Sequence, residues 1–96
     1  MTFRINFIQH DGAQWFCDVE RIDGGRTTVE LYTDRAGRGL MVEDVKGNKE
    51  PLIPEDSLLI PPGSSSHEAS VTIASALVML GWGPEIDRHG VVVQHR

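Results

Sequence analysis

The sequence predicts an α+β domain: a four-stranded antiparallel meander, a Pro-rich connecting segment, one helix packed on the sheet, and a C-terminal strand. Three observations carry that expectation. The first half alternates apolar and polar residues with period two, a Ser-x-x-Glu cap opens an apolar run after residue 64, and a Val triplet stands near the end. Ninety-six residues, 40% hydrophobic and 24% charged, suit one domain spanning 1–96, with a single core and no second one.

The alternation marks four strands. Phe3, Ile5 and Phe7 alternate with Arg4 and Asn6, and Trp15, Cys17 and Val19 alternate with Phe16, Asp18 and Glu20. Val29 and Leu31 alternate with Thr28, Glu30 and Tyr32, and Leu40 and Val42 alternate with Met41 and Glu43. One parity of each strand is apolar, the pattern of a sheet buried on one face. His10-Asp11-Gly12, Asp23-Gly24-Gly25 and the longer stretch Thr33–Gly39 supply the turn residues between them. Three-residue loops ending in Gly set a register in which Phe7 faces Trp15, Ile5 faces Cys17 and Phe3 faces Val19. In the second hairpin the same rule sets Val19 against Val29 and Cys17 against Leu31. Two-residue turns would pair inward with outward positions.

From Lys46 to Ser66 the pattern breaks. Lys46-Gly47-Asn48-Lys49 reads as a turn, and Pro51, Pro54, Pro61 and Pro62 interrupt any long ladder. Leu52-Ile53 and Leu58-Leu59-Ile60 make the segment an ordered, packed loop with a short strand. Whether it lies over the second sheet face is left open by the sequence.

Ser65 and Glu68, three apart, meet the capping-box spacing. The helix they open runs to about Leu80 and stops at Gly81-Trp82-Gly83-Pro84. Ile73, Ala76, Leu77 and Leu80 form its core stripe, and its polar strip of Glu68, Thr72 and Ser75 is narrow. A deep setting in a cleft or sheet face follows. Trp82 is expected to fold back over the core, with an exposed spot shared with Met79 as the alternative. Val91-Val92-Val93 reads as a last strand covered on both sides. No internal repeat is visible.

Function is narrowed mainly by charge. Nine Lys and Arg against fourteen Asp and Glu give a net charge of −5, the wrong balance for neutralising phosphates, so direct nucleic-acid binding is not expected. The single Cys17 excludes an intramolecular disulfide. Between Trp15 and Val19 it reads as core filler with an inert thiol. Residues 1–6 lack the apolar stretch of a signal peptide, and Ala76–Leu80 is too short to span a bilayer. A cytoplasmic chain without membrane contact is the expectation.

The histidines His10, His67, His89 and His95 show no metal-ligand spacing, and no metal or other cofactor is expected. His10-Asp11 lacks a nucleophile beside it and is explained by the turn. Gly63–Ser66 at the helix start lacks the spacing and the lysine of a phosphate loop, and capping alone explains it. Titratable groups are scattered, so an enzyme ranks third among the readings, and none of these residues is assigned a catalytic role.

The outward parity of the meander is more informative. Asn6, Phe16, Tyr32 and Met41 fall in one row, and Arg4, Asp18, Glu30 and Glu43 in the next. Like charges directly opposite one another weaken a sheet, so carboxylates kept together beside aromatic rings point to an electropositive partner. The candidate protein-binding residues are Phe16, Asp18, Glu20, Glu30, Tyr32, Met41 and Glu43.

With those residues, on a compact meander-plus-helix chain, the sequence resembles the small acidic inhibitors encoded by phages and mobile elements, anti-CRISPR proteins among them. The resemblance is one of profile, carried by Asp18, Glu30 and Glu43 beside Phe16 and Tyr32, and covers no aligned segment. It implies a non-enzymatic protein that occludes a basic surface of a partner protein or nucleoprotein complex. The alternative from another class is a small structural or assembly protein acting as a homodimer.

Overall fold

The computed structural model describes residues 2–22, 27–84, 86–87, 90–91 and 93–95, the side chains of the last three segments excepted. The chain is α+β. Strands β1 (Thr2–Asp11), β2 (Gln14–Arg21), β3 (Thr27–Tyr32), β4 (Leu40–Glu43) and β5 (Lys49–Ile53) precede helix α1 (Ser66–Met79). The short strands β6 (Gly83–Pro84), β7 (Ile86–Asp87), β8 (Gly90–Val91) and β9 (Val93–His95) follow.

The main sheet runs in the order β5-β4-β3-β2-β1-β6, with β9 also paired to β1, and β7 pairs β8 apart from it. The meander is therefore extended by a fifth strand and becomes mixed, because β6 and β9 lie parallel to β1. Those parallel partners come from the far end of the chain, a distance that local turn chemistry does not encode. At the other edge, β5 carries Pro51. Having no N–H, proline suits an edge strand.

The predicted first hairpin is corrected. Asp11 pairs with Gln14 around a two-residue Gly12-Ala13 loop, with Gly12 at φ 60°. From there His10 faces Trp15, Ile8 faces Cys17 and Phe7 faces Asp18; Asn6 is then an extra residue before Ile5 meets Val19. This β-bulge reverses the parity of β1 midway. Phe3, Ile5 and Ile8 are buried, whereas Phe7 stands on the outer face. The second hairpin keeps its expected register, Cys17 with Leu31 and Val19 with Val29. Its loop lies outside the described residues.

Two loops share one hydrogen-bond pattern. In Asp34–Arg38 the Asp34 Oδ1 accepts from the N–H groups of Ala36 (2.8 Å) and Arg38 (3.0 Å). In Asp44–Asn48 the Asp44 Oδ1 accepts from Lys46 (2.8 Å) and Asn48 (2.9 Å). Each loop places a glycine three residues after the aspartate in the left-handed region, Gly37 at φ 80° and Gly47 at φ 84°. Donation to the aspartates holds both carboxyls below the usual range, led at Asp34 by the Arg38 N–H and at Asp44 by the Asn48 side chain. The sequence turn placed at 46–49 is thus the second half of a loop that begins at Asp44.

Helix α1 opens with the expected capping box. Ser65 Oγ accepts from the Glu68 N–H at 3.1 Å, and Glu68 Oε1 accepts from the Ser65 N–H at 2.9 Å. It closes with a Schellman pair, the Trp82 N–H to the Leu77 carbonyl (3.0 Å) and the Gly81 N–H to the Val78 carbonyl (2.9 Å), with Gly81 at φ 91°. That turn drives Trp82 back onto Phe3, edge to face at 6.0 Å between centroids. Trp82 is partly buried and Met79 is 88% exposed, so the two do not form a joint spot.

The helix is not sunk in a cleft. It buries Ala69, Ser70, Ile73 and Leu77 but leaves Val71, Val78, Met79 and Leu80 exposed. An apolar surface this wide does not fix which stripe faces the core. Ile53, Leu58 and Ile60 join Phe3, Ile5, Ile8, Trp15 and Leu31 in one core, so the Pro-rich segment packs on the helix side of the sheet. The expectation that Val91–Val93 is covered on both sides falls on side chains outside the described residues.

Candidate protein-docking surface

The outer face of the sheet is built by the parity of β2, β3 and β4 and by the bulged half of β1. One row reads Gln9, Phe16, Tyr32, Met41, Pro51 across five strands. The next reads Phe7, Asp18, Glu30, Glu43, Lys49. Glu20 lies one row further, between Arg4 and Thr28. Phe16, Asp18, Glu20, Glu30, Tyr32, Met41 and Glu43 thus share one face, each partly exposed and none buried. Ile53, Leu58 and Ile60 of the Pro-rich segment are buried in the core on the other side of the sheet.

Asn6 and Arg4 do not stand where the sequence register put them. The bulge substitutes Gln9 for Asn6 in the aromatic row and Phe7 for Arg4 in the acidic row. Phe7, Gln9, Lys49 and Pro51 were missed. Two adjacent apolar residues, Phe7 and Ile8, admit either parity, so the alternation alone does not detect the extra residue.

The rings of Phe16 and Tyr32 stack at 6.4 Å between centroids with 27° between planes. Such a pair offers a flat apolar platform of the kind that anchors interfaces. Asp18, Glu30 and Glu43 run directly beside it. Glu43 Oε1 lies 3.4 Å from Lys49 Nζ, an exposed pair of little net worth. Asn6 Nδ2 donates to Glu20 Oε2 at 3.4 Å. Among the described residues of this face, four carboxylates (Asp18, Glu20, Glu30, Glu43) stand against Arg4 and Lys49.

The other candidates are placed elsewhere. His10 sits at the hairpin, its Nδ1 3.1 Å from the Gly12 carbonyl and its ring 4.7 Å from Trp15. His67 is exposed at the helix start. His89 and the side chain of His95 lie outside the described residues. Among the described residues no group of three His, Cys, Asp or Glu could hold a metal ion, and no helix is long and apolar enough to cross a membrane.

Cys17 is 1% exposed, and its thiol is pushed up to about 12 by burial, with the Asp18 charge adding to it. Iodoacetamide at pH 8 should leave the folded chain unmodified and alkylate it fully in denaturant. Mass spectrometry reads the difference, and rapid labelling of the folded chain would contradict a sealed thiol.

No protein-family model, curated protein or solved structure matches this chain.

Proposed function

We propose that the chain is a non-enzymatic protein-binding module, an inhibitor whose acidic and aromatic sheet face occludes a basic, nucleic-acid-binding surface of a partner protein or nucleoprotein complex. The reading is that of the small acidic phage inhibitors, of anti-CRISPR type, acting in the host cytoplasm. A single observation carries it: Asp18, Glu30 and Glu43 stand in direct register beside the Phe16–Tyr32 platform on the outer, partly exposed face. Each like-charge pair costs a sheet up to about 1 kcal/mol relative to neutral neighbours. A cationic partner turns that cost into attraction and steers encounter, while the rings supply the desolvated contact.

The test is capture from source-cell lysate by the wild-type chain and by the triple reversal Asp18→Lys, Glu30→Lys, Glu43→Lys. A specific partner should be retained by the first and lost by the second, with cooperative unfolding kept. The captured partner should also release nucleic acid when the wild-type chain is added. Equal capture by both chains would reject the acidic row as the site.

A homo-oligomer is favoured by a different observation, the exposure of Val71, Val78, Met79 and Leu80 on the helix. It requires a concentration-dependent rise in mass by light scattering. A constant monomer mass removes it and leaves the inhibitor reading untouched.

A further inference from the structure

Where β4 and β5 meet the loops above them, the aromatic row runs into a concavity. Arg38, Leu40, Met41, Pro51, Pro54 and Glu55 line a pocket of about 210 Å³. Met41 and Pro51 belong to both structures, facing Tyr32 and each other in the row and walling the pocket at its end. Gly39 lets the pocket exist. At φ 64° it brings two stretches of chain together so closely that an added Cβ would sit 3.0 Å from the Ile53 carbonyl oxygen and the Glu55 Cα.

The dimensions and the lining select the occupant. At roughly 30 Å³ per liquid water the space equals about seven waters, below the 300–1,000 Å³ typical of cofactor and drug-sized sites. One branched or aromatic side chain fits within it. Leu40, Met41, Pro51, Ile53 and Pro54 give the lining its hydrocarbon, and Asp34, Glu55 and Arg38 give it its charges. Among the described residues the adjoining face adds four carboxylates against Arg4 and Lys49, so a basic segment is the one whose charge complements it. Interfaces concentrate their energy where an anchor enters such a pocket beside weaker contacts.

We propose that this pocket is the anchor subsite of the docking face, taking one leucine-sized apolar side chain from an arginine-bearing segment of the partner. The inference rests on the basic-partner reading above and adds to it a specificity that charge alone does not give.

The test titrates the isotope-labelled full chain with the peptides Arg-Arg-Leu-Arg-Arg and Arg-Arg-Ala-Arg-Arg, followed by amide chemical shifts. The Leu peptide should bind about tenfold tighter, the value of burying most of one leucine side chain. It should move Gly39, Leu40 and Glu55 together with Glu30 and Tyr32. Equal affinities, with Glu30 and Tyr32 moving and Gly39 and Glu55 still, would overturn the pocket and leave the basic-partner reading standing. Silence at Glu30 and Tyr32 with both peptides would overturn the two together.

Discussion

Gly37→Ala is expected to destabilise the chain by about 3 kcal/mol, whereas Gly47→Ala, in the matching loop, should cost about half as much. Both glycines follow an aspartate by three residues and share nearly the same φ, 80° and 84°. The left-handed backbone therefore charges an alanine about 1–2 kcal/mol at either site. What differs is the surroundings. A Cβ at Gly37 would meet the carbonyl oxygens of Ala13 and Ile60, each at 3.0 Å, while nothing lies within 4 Å at Gly47. Both oxygens are backbone rather than the far end of a flexible side chain, and the Ile60 N–H itself donates to the Gly37 carbonyl at 2.8 Å. Overpacking of this kind adds about 1–3 kcal/mol. At about 4–8 °C per kcal/mol for a domain near this size, the two melting curves should separate by several degrees or more. Superimposed curves would mean that the carbonyls yield and that backbone strain alone was measured.

The same contact ties two loops together. Gly37 and Gly39 clamp the 33–39 loop to residues 53–60, through the Ile60 N–H to Gly37 and the Gly39 N–H to the Leu58 carbonyl at 3.0 Å. Leu58 and Ile60 are thereby fixed in the core.

How much of this was legible in the residues varies with the range of the interaction. The capping box and the Cys17–Leu31 and Val19–Val29 pairs followed from spacing alone, because each depends on neighbours or on one short loop. So did the succession Phe16, Tyr32, Met41 beside Asp18, Glu30, Glu43, since β2, β3 and β4 alternate without interruption. The setting of α1 was not legible: an apolar surface that includes Val71, Val78 and Leu80 has no single preferred stripe. Nor was the pairing of β6 and β9 with β1, which depends on the whole chain closing. The hairpin register failed for a narrower reason. A two-residue turn at Gly12-Ala13 and one extra residue at Asn6 offset each other near the strand start, so the expected inward residues Phe3 and Ile5 remained inward although their partners changed.

That offset makes an unusual tolerance expected. Deleting Asn6 from a central strand should leave the chain folded, with a loss within about 2 kcal/mol, whereas deleting Asp18 from the neighbouring strand should abolish cooperative unfolding. Removing Asp18 shifts the pairing by one and sends either Trp15 and Cys17 or Val19 to the wet face. Each large apolar side chain so exposed forfeits about 1.5–3 kcal/mol, and the core opened behind it costs more, out of a total near 5–15 kcal/mol. Removing Asn6 does the reverse. Ile5 then precedes Phe7 directly, and Ile5–Val19, Phe7–Asp18 and Ile8–Cys17 become one unbroken ladder. The parallel side agrees, since β1 advances three residues from Ile5 to Ile8 while β9 advances two from Val93 to His95. The losses are the 3.4 Å contact to Glu20 and the local twist of the bulge. Phe7 stays opposite Asp18, so partner capture should survive the deletion. Urea unfolding of both deletions decides the point, and collapse of the Asn6 deletion would show that the bulge is needed for the fold itself.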